Sequence, residues 1–408
     1  MVVARRTSRD IRSESRLDVL HAVLSAGETT RGAVAASTGL SAATVATVVG
    51  ELIVEGILVE TKTTAGRIGR PTATIAMSAE RGRVVGVDVA ETYVRAVLFD
   101  TALAQLAAVE LARDEHDLDP DSVVDAIGRA IDRLLAQERV SRGAVLGVGV
   151  ALPGLVQGDT GVSVVVPNWS WHTVELDRLR ERVGLPLVVD NPLKVIATAE
   201  LWLGRGRSHT SLVTVNLGTG VGAGIVLEGS ILRGATNSAG EWGHSLLVLD
   251  GRRCRCGRDG CVEAYVGVPG IQQTLREIAP EHALLALDLQ RDFIIGMAEK
   301  ADEGDAAVSE AIDRTAYYLG SALADLVAVV NPEIVTLTGW TVWRLGEHLL
   351  PATRERLLSQ SPGGSAQGLE IVVSDVGTSS VATGVATIAL ERFLADAGLL
   401  TTRIPIAL

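Results

Sequence analysis

The sequence of 408 residues lacks any uninterrupted apolar run of about 18 residues, the length that a membrane-spanning helix needs. Its first residues, MVVARRTSRDIRSESR, also lack the apolar stretch of a secretory signal peptide. Hydrophobic residues still make up 47% of the chain, in short runs that can build a sizeable core. A chain of this length predicts two or three domains. We therefore expect a cytoplasmic, multidomain protein with no membrane partner.

Cysteine is scarce, and the three cysteines, Cys254, Cys256 and Cys261, lie within eight residues. An odd, clustered set in a cytoplasmic chain argues against disulfides and for a metal. With His244 they form a Cys3His set, one of the closed tetrahedral patterns for Zn²⁺. Four protein ligands leave no open position for water, so the sequence predicts structural rather than catalytic zinc. The alternative, three buried thiols without an ion, fits poorly with the arginine-rich loop RRCRCGR.

Negative charge outweighs positive charge over most of the chain, whose formal net charge is −12. Residues 1–83 hold 11 Lys+Arg and 8 Asp+Glu, a balance of +3, which leaves 26 and 41, or −15, for the remainder. A mildly basic N-terminal unit on an acidic body is typical of a protein that touches nucleic acid with one end.

The N-terminal segment predicts three helices followed by two strands. Thr30 and Ser41 are suited to cap the second and third helices, and Gly39 to make the tight turn between them. A short helix, a glycine turn and a second helix form a helix-turn-helix. The following ILVETKTTAGRIGRPTATIAM indicates two strands around a Gly/Arg-rich tip. Residues 1–82 are therefore predicted to be a winged helix-turn-helix, the alternative being a three-helix bundle used for docking.

Glycine-flanked arginines at the wing tip suit a narrow minor groove, where the negative potential is strongest. The outer face of the third helix carries no Arg or Lys, so we expect thymine-methyl contacts, phosphate contacts and shape readout to dominate. One such unit makes few contacts, and useful affinity requires a dimer on two half-sites. The predicted DNA-contacting residues are Arg31, Ser41, Ala42, Thr44, Thr47, Arg67 and Arg70.

From residue 84 the pattern becomes α/β. VVGVDVAETYVRAVLFDTALAQLAAVELA predicts three consecutive strands, DPDSVVDAIGRAIDRLLAQE an amphipathic helix, and AVLGVGVALPGLV a further buried strand. A second alternating set follows later in the chain. Three strands followed by alternating helices and strands, twice over, predict a two-lobed α/β body.

The body resembles the ROK family, which contains bacterial sugar kinases and repressors with an added N-terminal helix-turn-helix. The segments that carry the resemblance occur in the family's order: VPNWSWHTVEL, AELWLGRGR, VNLGTGVGAGIVLEGSILRG, NSAGEWGH, CRCGRDGCVEAYVG and VVNPEIVTLTG. The likeness spans about residues 12–390 and implies an actin-like fold after the winged helix-turn-helix. The implied domains are 1–82 for DNA binding, 83–190 with 378–408 for the first lobe, and 191–377 for the second lobe with the zinc loop and oligomer interface.

The resemblance also implies a carbohydrate site. Positions that match sugar-contacting residues of the family are Asn168, Asn191, Glu241, His244 and Glu263. His244 matches a position with two roles, in which one ring nitrogen binds zinc and the other points at a hydroxyl. Three neighbouring tryptophans supply either an apolar platform or core: Trp169, Trp171 and Trp242.

The kinase machinery of the family is altered in this sequence. The catalytic aspartate of the kinases aligns with Pro192, which cannot accept a hydroxyl proton. Asp190 lies on the far side of Asn191 and is a poor substitute. These residues predict a retained pocket without phosphoryl-transfer chemistry.

Nucleotide-binding positions are altered too. In DVAET, Ala90 adds a methyl group, and Glu91 a charge that would repel phosphate by about 4 kcal/mol at about 4 Å and an effective dielectric of about 20. Trp340 puts a bulky ring where the kinases carry glycine beside adenosine. GTGVGAG, residues 218–224, still suits a phosphate cradle, but equally a tight glycine-rich hairpin, which we favour.

The sequence thus predicts a sugar-responsive transcriptional regulator without kinase activity, a repressor of carbohydrate uptake or catabolism genes. Its predicted partners are operator DNA, a sugar or sugar derivative bound in the ROK cleft, and further copies of itself in a homodimer or homotetramer. Residues 378–400 form a predicted helix that is a candidate relay to the DNA-binding unit. The alternatives are a bifunctional sugar kinase, a regulator controlled by a partner protein, and activation in place of repression.

Overall fold

The structure is a computed structural model that describes residues 8–64, 72–90, 92–114, 119–154 and 176–396. These residues divide into two compact units. The first contains the described residues up to 154 together with 176–203 and 379–396, and the second contains residues 204–378.

The N-terminal part of the first unit has three helices and a small antiparallel sheet in the order β1-β3-β2. Its elements are α1 (Ser8–Ala26), β1 (Glu28–Thr30), α2 (Arg31–Thr38), α3 (Ala42–Val54), β2 (Leu58–Thr64) and β3 (Thr72–Met77). The axes of α2 and α3 are bent by 119°, which matches the geometry of a helix-turn-helix. The three-residue strand β1 is too short to leave a pattern in the sequence.

Local hydrogen bonds explain why these helices begin and end where they do. The Thr30 side chain accepts from the Ala33 amide, and the Ser41 side chain accepts from the Thr44 amide, so each satisfies an amide that the helix leaves without a partner. Gly39 closes α2 with φ 71°, a left-handed conformation that favours glycine. The caps predicted from the sequence are confirmed.

The body of the first unit is a five-stranded mixed sheet in the order β6-β5-β4-β7-β8. Its elements are β4 (Arg83–Val89), β5 (Tyr93–Phe99), β6 (Gln105–Ala112), α4 (Pro120–Gln137), β7 (Val145–Ala151), α5 (Leu176–Val183), β8 (Leu187–Asp190), α6 (Pro192–Trp202) and, from the end of the described chain, α12 (Ser380–Asp396). The central strands β4 and β7 are buried almost throughout. Helix α12 packs against β4, β7 and α6.

The second unit contains another five-stranded mixed sheet, in the order β11-β10-β9-β12-β13. Its elements are β9 (Leu212–Leu217), β10 (Val221–Leu227), β11 (Ser230–Ile231), α7 (Glu263–Val266), α8 (Val268–Ile278), α9 (Gln290–Asp302), α10 (Ala306–Val330), β12 (Ile334–Thr338), α11 (Trp340–Gln360) and β13 (Glu370–Val373). One continuous apolar core joins this sheet to the helices. The predicted α/β fold class is confirmed: an N-terminal three-helix segment with a small antiparallel sheet precedes two five-stranded mixed sheets.

The boundary between the two units falls at Leu203, whereas the sequence placed the end of the first lobe at residue 190. The difference arises from α6, which packs closely against α12. A Cβ on Gly384 of α12 would lie 1.8 Å from the Val195 carbonyl oxygen of α6, so the two backbones are in direct contact. The division into three folding domains stays a prediction.

Within the described residues, no single helix is long and apolar enough to cross a membrane, although the bent pair α2 and α3 meets the length and composition criteria together.

Candidate metal centre and ligand site

Four potential metal ligands converge in the second unit. One donor atom from each of His244, Cys254, Cys256 and Cys261 lies within 4.8 Å of all the others. The His244 Nδ1 is 3.7 Å from the Cys254 Sγ, and the Cys256 Sγ is 3.7 Å from the Cys261 Sγ. A tetrahedral ion with metal–sulfur bonds of about 2.3 Å separates two sulfurs by about 3.8 Å. The donor set and its spacing therefore fit one tetrahedral metal ion.

Burial and charge around the thiols oppose their ionisation. Burial raises the pKa of Cys254, and the neighbouring Glu263 carboxylate raises it further. The pKa of Cys261 is raised as well, chiefly by burial. Thiols that hold their protons this firmly favour the thiolate form only when a cation compensates for the charge.

Arg252 holds the cysteine loop against helix α8. Its guanidinium donates to the Gly270 carbonyl at 3.0 Å, to the Thr274 hydroxyl at 3.0 Å and to the Glu277 carboxylate at 2.7 Å. The same guanidinium stacks over the Tyr265 ring at 4.7 Å, while the Tyr265 hydroxyl accepts from the Arg252 amide. These contacts position the start of the loop independently of the four candidate ligands.

Glu263 joins the cysteine loop to strand β10. Its Oε2 accepts a 3.0 Å hydrogen bond from the Val221 amide. Its Oε1 lies 3.8 Å from the Cys254 Sγ and 3.7 Å from the Arg255 Nε. Glu263 is 8% exposed, and each of its carboxylate oxygens has a neighbouring polar group that holds it in place.

The segment that carries Glu241 and His244 lies directly on β10 because two glycines permit it. A Cβ on Gly240 would lie 2.2 Å from the Ala223 carbonyl oxygen, and a Cβ on Gly243 would lie 1.9 Å from that of Val221. Glu241 is exposed at the surface of this turn, and His244 is half-buried. Since Nδ1 of His244 faces Cys254, its Nε2 is the ring nitrogen that can serve a ligand.

Of the three tryptophans in question, Trp242 belongs to the apolar core of the second unit. It is 8% exposed, so Trp242 is a core residue and does not form an apolar platform for a sugar. Trp169, Trp171 and the sugar candidate Asn168 lie outside the described residues.

Asn191 lies in the first unit, at the junction of β8 and α6. Its Oδ1 caps α6 by accepting from the Leu193 amide at 2.8 Å, and its Nδ2 donates to the Gly154 carbonyl at 2.7 Å. Pro192 opens the helix, a position where a missing amide proton costs nothing. The buried Asp190 accepts from the Asn191 amide at 2.8 Å.

The glycine-rich segment 218–224 forms the β9–β10 hairpin, as we favoured from the sequence. The indole of Trp340 lies over its turn, since a Cβ on Gly218 would be 2.8 Å from the Trp340 Nε1. The side chain of the first residue of α11 thus lies against the Gly218 backbone. Asp88, near the end of β4, accepts a hydrogen bond from the Tyr93 hydroxyl, and Glu91 lies outside the described residues.

The described DNA-contact candidates lie on α2, on α3 and at the cap of α3. Ser41, Ala42 and Thr47 are exposed, whereas Thr44 is half-buried and its hydroxyl is 2.8 Å from that of Ser41. Arg31 pairs with Glu60 at 2.7 Å, which links α2 to the wing. Arg67 and Arg70 lie outside the described residues.

The comparison with known proteins agrees with this architecture. The model of the ROK family matches residues 84–392. The chain belongs to the ROK family.

Both branches of ROK proteins are represented among its relatives. The chain is 32% identical to the glucokinase of Halalkalibacterium halodurans over 74% of its length and 92% of that protein. It is 25% identical to the xylose repressor of Bacillus subtilis over 92% of its length and 94% of that protein. A crystal structure of a ROK family transcriptional regulator, a homologue of the E. coli MLC protein, superposes with a TM-score of 0.76 at 24% identity, over 95% of this chain and 98% of that one.

Several residues of this ROK site were missed by sequence reasoning. Arg252 and Tyr265 brace the cysteine loop, and Gly240 and Gly243 allow the segment that carries Glu241 and His244 to approach β10, but no motif of ligand chemistry marks them. The signal that was available is the pair of glycines flanking Glu241 and Trp242, because a backbone that must contact another strand requires glycine.

Proposed function

We propose that this ROK protein is a sugar-responsive transcriptional regulator that binds operator DNA and represses genes for carbohydrate uptake or catabolism. The observation that carries the proposal is the helix-turn-helix, α2 and α3 at 119° with a capped α3, in one chain with a sugar-kinase-like body. The similarity to a xylose repressor over 92% of the chain includes this N-terminal part, which the match to a glucokinase over 74% of the chain does not require.

The proposed effector is a neutral sugar. Glu241, His244 and Glu263 offer two carboxylates and an imidazole nitrogen within one unit, and hydroxyl groups are the donors that such a set recognises. Asn168 and Asn191 are proposed to complete the set. D-xylose and D-glucose are the first candidates, since the relatives are named for xylose repression and for glucose phosphorylation.

Loss of kinase activity is part of the proposal and has two physical reasons. Pro192 stands at the start of α6, where a general base is needed and a proline side chain cannot accept a proton. Trp340 covers Gly218 of the β9–β10 turn, so a nucleotide phosphate cannot reach that backbone without displacing the indole.

We assign the four-residue cluster to a structural Zn²⁺ held by Cys254, Cys256, Cys261 and the His244 Nδ1. A closed set of three thiolates and one imidazole suits zinc and leaves no coordination position for water. The ion would hold the loop while Glu263 and Arg252 orient it, and His244 would present Nε2 to the sugar.

Operator binding is proposed to use α3 and the wing from two copies of the chain. The small outer face of α3 allows the helix to lie close to base edges, and Arg67 and Arg70 supply the charge. A homodimer or homotetramer on a palindromic site would place the two units one or more helical turns apart.

The test is a gel-shift titration of the full chain on DNA from upstream of its own gene, with and without D-xylose or D-glucose. Arg70→Ala should weaken DNA binding at least fivefold and leave sugar binding unchanged, and Glu241→Ala should keep DNA binding but lose the response to sugar. Two exposed residues provide matched controls, Arg129→Ala on α4 and Glu299→Ala on α9. If Arg70→Ala and Arg129→Ala bind DNA alike, the assigned interface is wrong.

A sugar kinase that also binds DNA is the second candidate, and the 32% identity to a glucokinase favours it. A coupled assay that detects sugar-dependent ATP consumption at an enzyme-like rate would establish this candidate. We expect no turnover with a panel of pentoses and hexoses, and we expect nucleotide affinity to rise in Trp340→Gly.

A further inference from the structure

The last turn of α6 is capped by the DNA-binding unit. The carbonyl groups at a helix C-terminus lack partners inside the helix. The His21 Nε2 lies 3.3 Å from the Leu201 carbonyl oxygen, and the Ser25 hydroxyl donates to the Trp202 carbonyl oxygen at 3.3 Å. Because a carbonyl oxygen only accepts, His21 carries its proton on Nε2. The His21 ring also packs edge-on against the Trp202 ring, with centroids 5.1 Å apart.

His21 and Ser25 are four residues apart and lie on one face of α1. This face joins α1 to α6 across 180 and 177 positions of sequence. Since α1 also packs against α2 and α3, any displacement of the end of α6 acts on the helix-turn-helix through α1.

The opposite end of α6 belongs to the proposed sugar site. Asn191 caps the helix with Oδ1 and holds the Gly154 carbonyl with Nδ2. The 11 residues of α6 span about 16 Å at 1.5 Å per residue. One short helix therefore has the proposed ligand contact at its first turn and the DNA-binding unit at its last.

Close packing makes α6 move as one piece with α12. Gly384 brings the α12 backbone onto the Val195 carbonyl, and a Cβ on Gly149 of β7 would lie 2.2 Å from the Val385 carbonyl oxygen. Closely packed interiors transmit displacement rather than absorb it. Helix α12 reaches the same DNA-binding unit at its far end, where the Arg81 guanidinium lies 5.5 Å from the centre of the Phe393 ring.

We propose that α6 transmits ligand binding to the DNA-binding unit, with His21 and Ser25 as the positioning residues that receive its movement. The inference rests on the proposed function and names its route of regulation. A sugar that binds Asn191 more favourably in one position of α6 shifts the populations of the two positions. The α1 face then follows the Leu201 and Trp202 carbonyls, and the helix-turn-helix moves with it.

The test is a double-mutant cycle of Asn191→Ala and His21→Ala on operator affinity, without sugar. Side chains more than about 10 Å apart that do not communicate have additive effects, to within about twofold in Kd. Transmission through α6 predicts a departure from additivity of at least fivefold. Additive effects would overturn the proposal. The control cycle replaces His21→Ala by His348→Ala, a half-buried histidine that pairs with Asp302 in the second unit, and should be additive.

Two further arms separate this proposal from the proposed function. With D-xylose or D-glucose, the ratio of operator affinities without and with sugar should fall at least fivefold in His21→Ala, while the sugar Kd stays within twofold of wild type.

Amide hydrogen exchange needs neither sugar nor DNA. Asn191→Ala should speed exchange in α1 when His21 is present and should not do so in the His21→Ala background. If operator binding by the wild-type protein does not respond to sugar, the proposed effector is wrong. The exchange experiment uses no sugar and still tests the proposed route through α6. Ser25→Ala replaces His21→Ala in each arm if the latter does not fold.

Discussion

Asp88 lies near the end of β4, where its carboxylate accepts a 2.9 Å hydrogen bond from the Tyr93 hydroxyl. Burial raises the pKa of Asp88 to about 6, against the lowering effects of the Tyr93 hydrogen bond and the Arg95 charge. An unfolded aspartate has a pKa of about 3.9. The folded state therefore holds this proton more tightly than the unfolded state does.

Asp88→Asn should remove a pH dependence of stability. Protonation of Asp88 contributes stability that is fully present below about pH 4 and is lost as the pH rises through about 6. The loss amounts to about 2 to 3 kcal/mol at about 1.4 kcal/mol per pKa unit. Urea unfolding of both proteins between pH 4 and pH 7.5 measures it as the difference between their free energies of unfolding.

Tyr93→Phe is the control for this measurement. The hydroxyl stabilises the ionised carboxyl, so its removal should raise the pKa of Asp88 and shift the transition to higher pH. Parallel pH profiles for wild type and Asp88→Asn would contradict the assignment.

At the scale of elements, two contacts decide how the segments fit together. Helix α12 lies on the sheet and on α6 through backbone contacts at Gly86, Gly149 and Gly384. In the second unit, the cysteine loop lies on α8 through Arg252 and on β10 through Glu263. Each contact joins elements that are remote in sequence, and each can be tested by a single substitution.

Gly384→Ala should lower the free energy of unfolding by at least about 2 kcal/mol, because the new methyl group would lie 1.8 Å from the Val195 carbonyl oxygen and the helices would have to separate. Gly346→Ala in α11 is the matched control, since its nearest neighbour would be 3.6 Å away. That change should be neutral or stabilising by up to about 1 kcal/mol. Chemical denaturation measures both, and equal effects would refute the close α6–α12 contact.

Removal of the proposed zinc ion should loosen the cysteine loop without unfolding the whole chain. Treatment with a strong chelator, or Cys256→Ser, should lower the melting temperature and speed hydrogen exchange in residues 244–263, because the proposed ion would link His244 to the loop. Exchange in α10 should change little. The zinc content by atomic absorption should fall from one ion per chain to none. A chain purified without bound metal but with a protected loop would contradict the assignment.

At the scale of the whole molecule, charge separates the two proposed tasks. An acidic body should repel DNA, so the proposed contacts are expected to come from the +3 N-terminal segment. With about four phosphates neutralised, raising the salt from about 50 to 200 mM should weaken operator binding on the order of 100-fold. Binding of a neutral sugar should not change over the same range. Gel-shift and calorimetric titrations at several salt concentrations test this, and a flat salt profile for DNA would argue against the proposed interface.

Much of the fold could be predicted from the sequence because its signals are local. Thr30 and Ser41 bond amides three residues away, and the three cysteines of the metal cluster lie within one loop. Such features depend on spacing alone. The resemblance to the ROK family then supplied the order of the larger elements.

Other features could not be predicted because they depend on contacts between distant segments. The side chain of Trp242 suits either core or a sugar platform, and only its neighbours in the second unit place it in the core. Asn191 carries the same amide whether it faces a ligand or caps α6. The first compact unit extends to Leu203 and not only to residue 190, because α6 packs against α12, which lies more than 180 residues later in the chain.

By itself, the sequence determined the helix caps, the alternation of strands and helices, and the Cys3His set that could hold a metal ion. The tertiary structure alone decided that Trp340 covers Gly218 and that His21 and Ser25 cap α6. The physical reason is the distance along the chain between the residues that interact. A cap or a metal loop forms between neighbours in the chain, whereas packing and long-range hydrogen bonds form only once the fold has brought remote residues together.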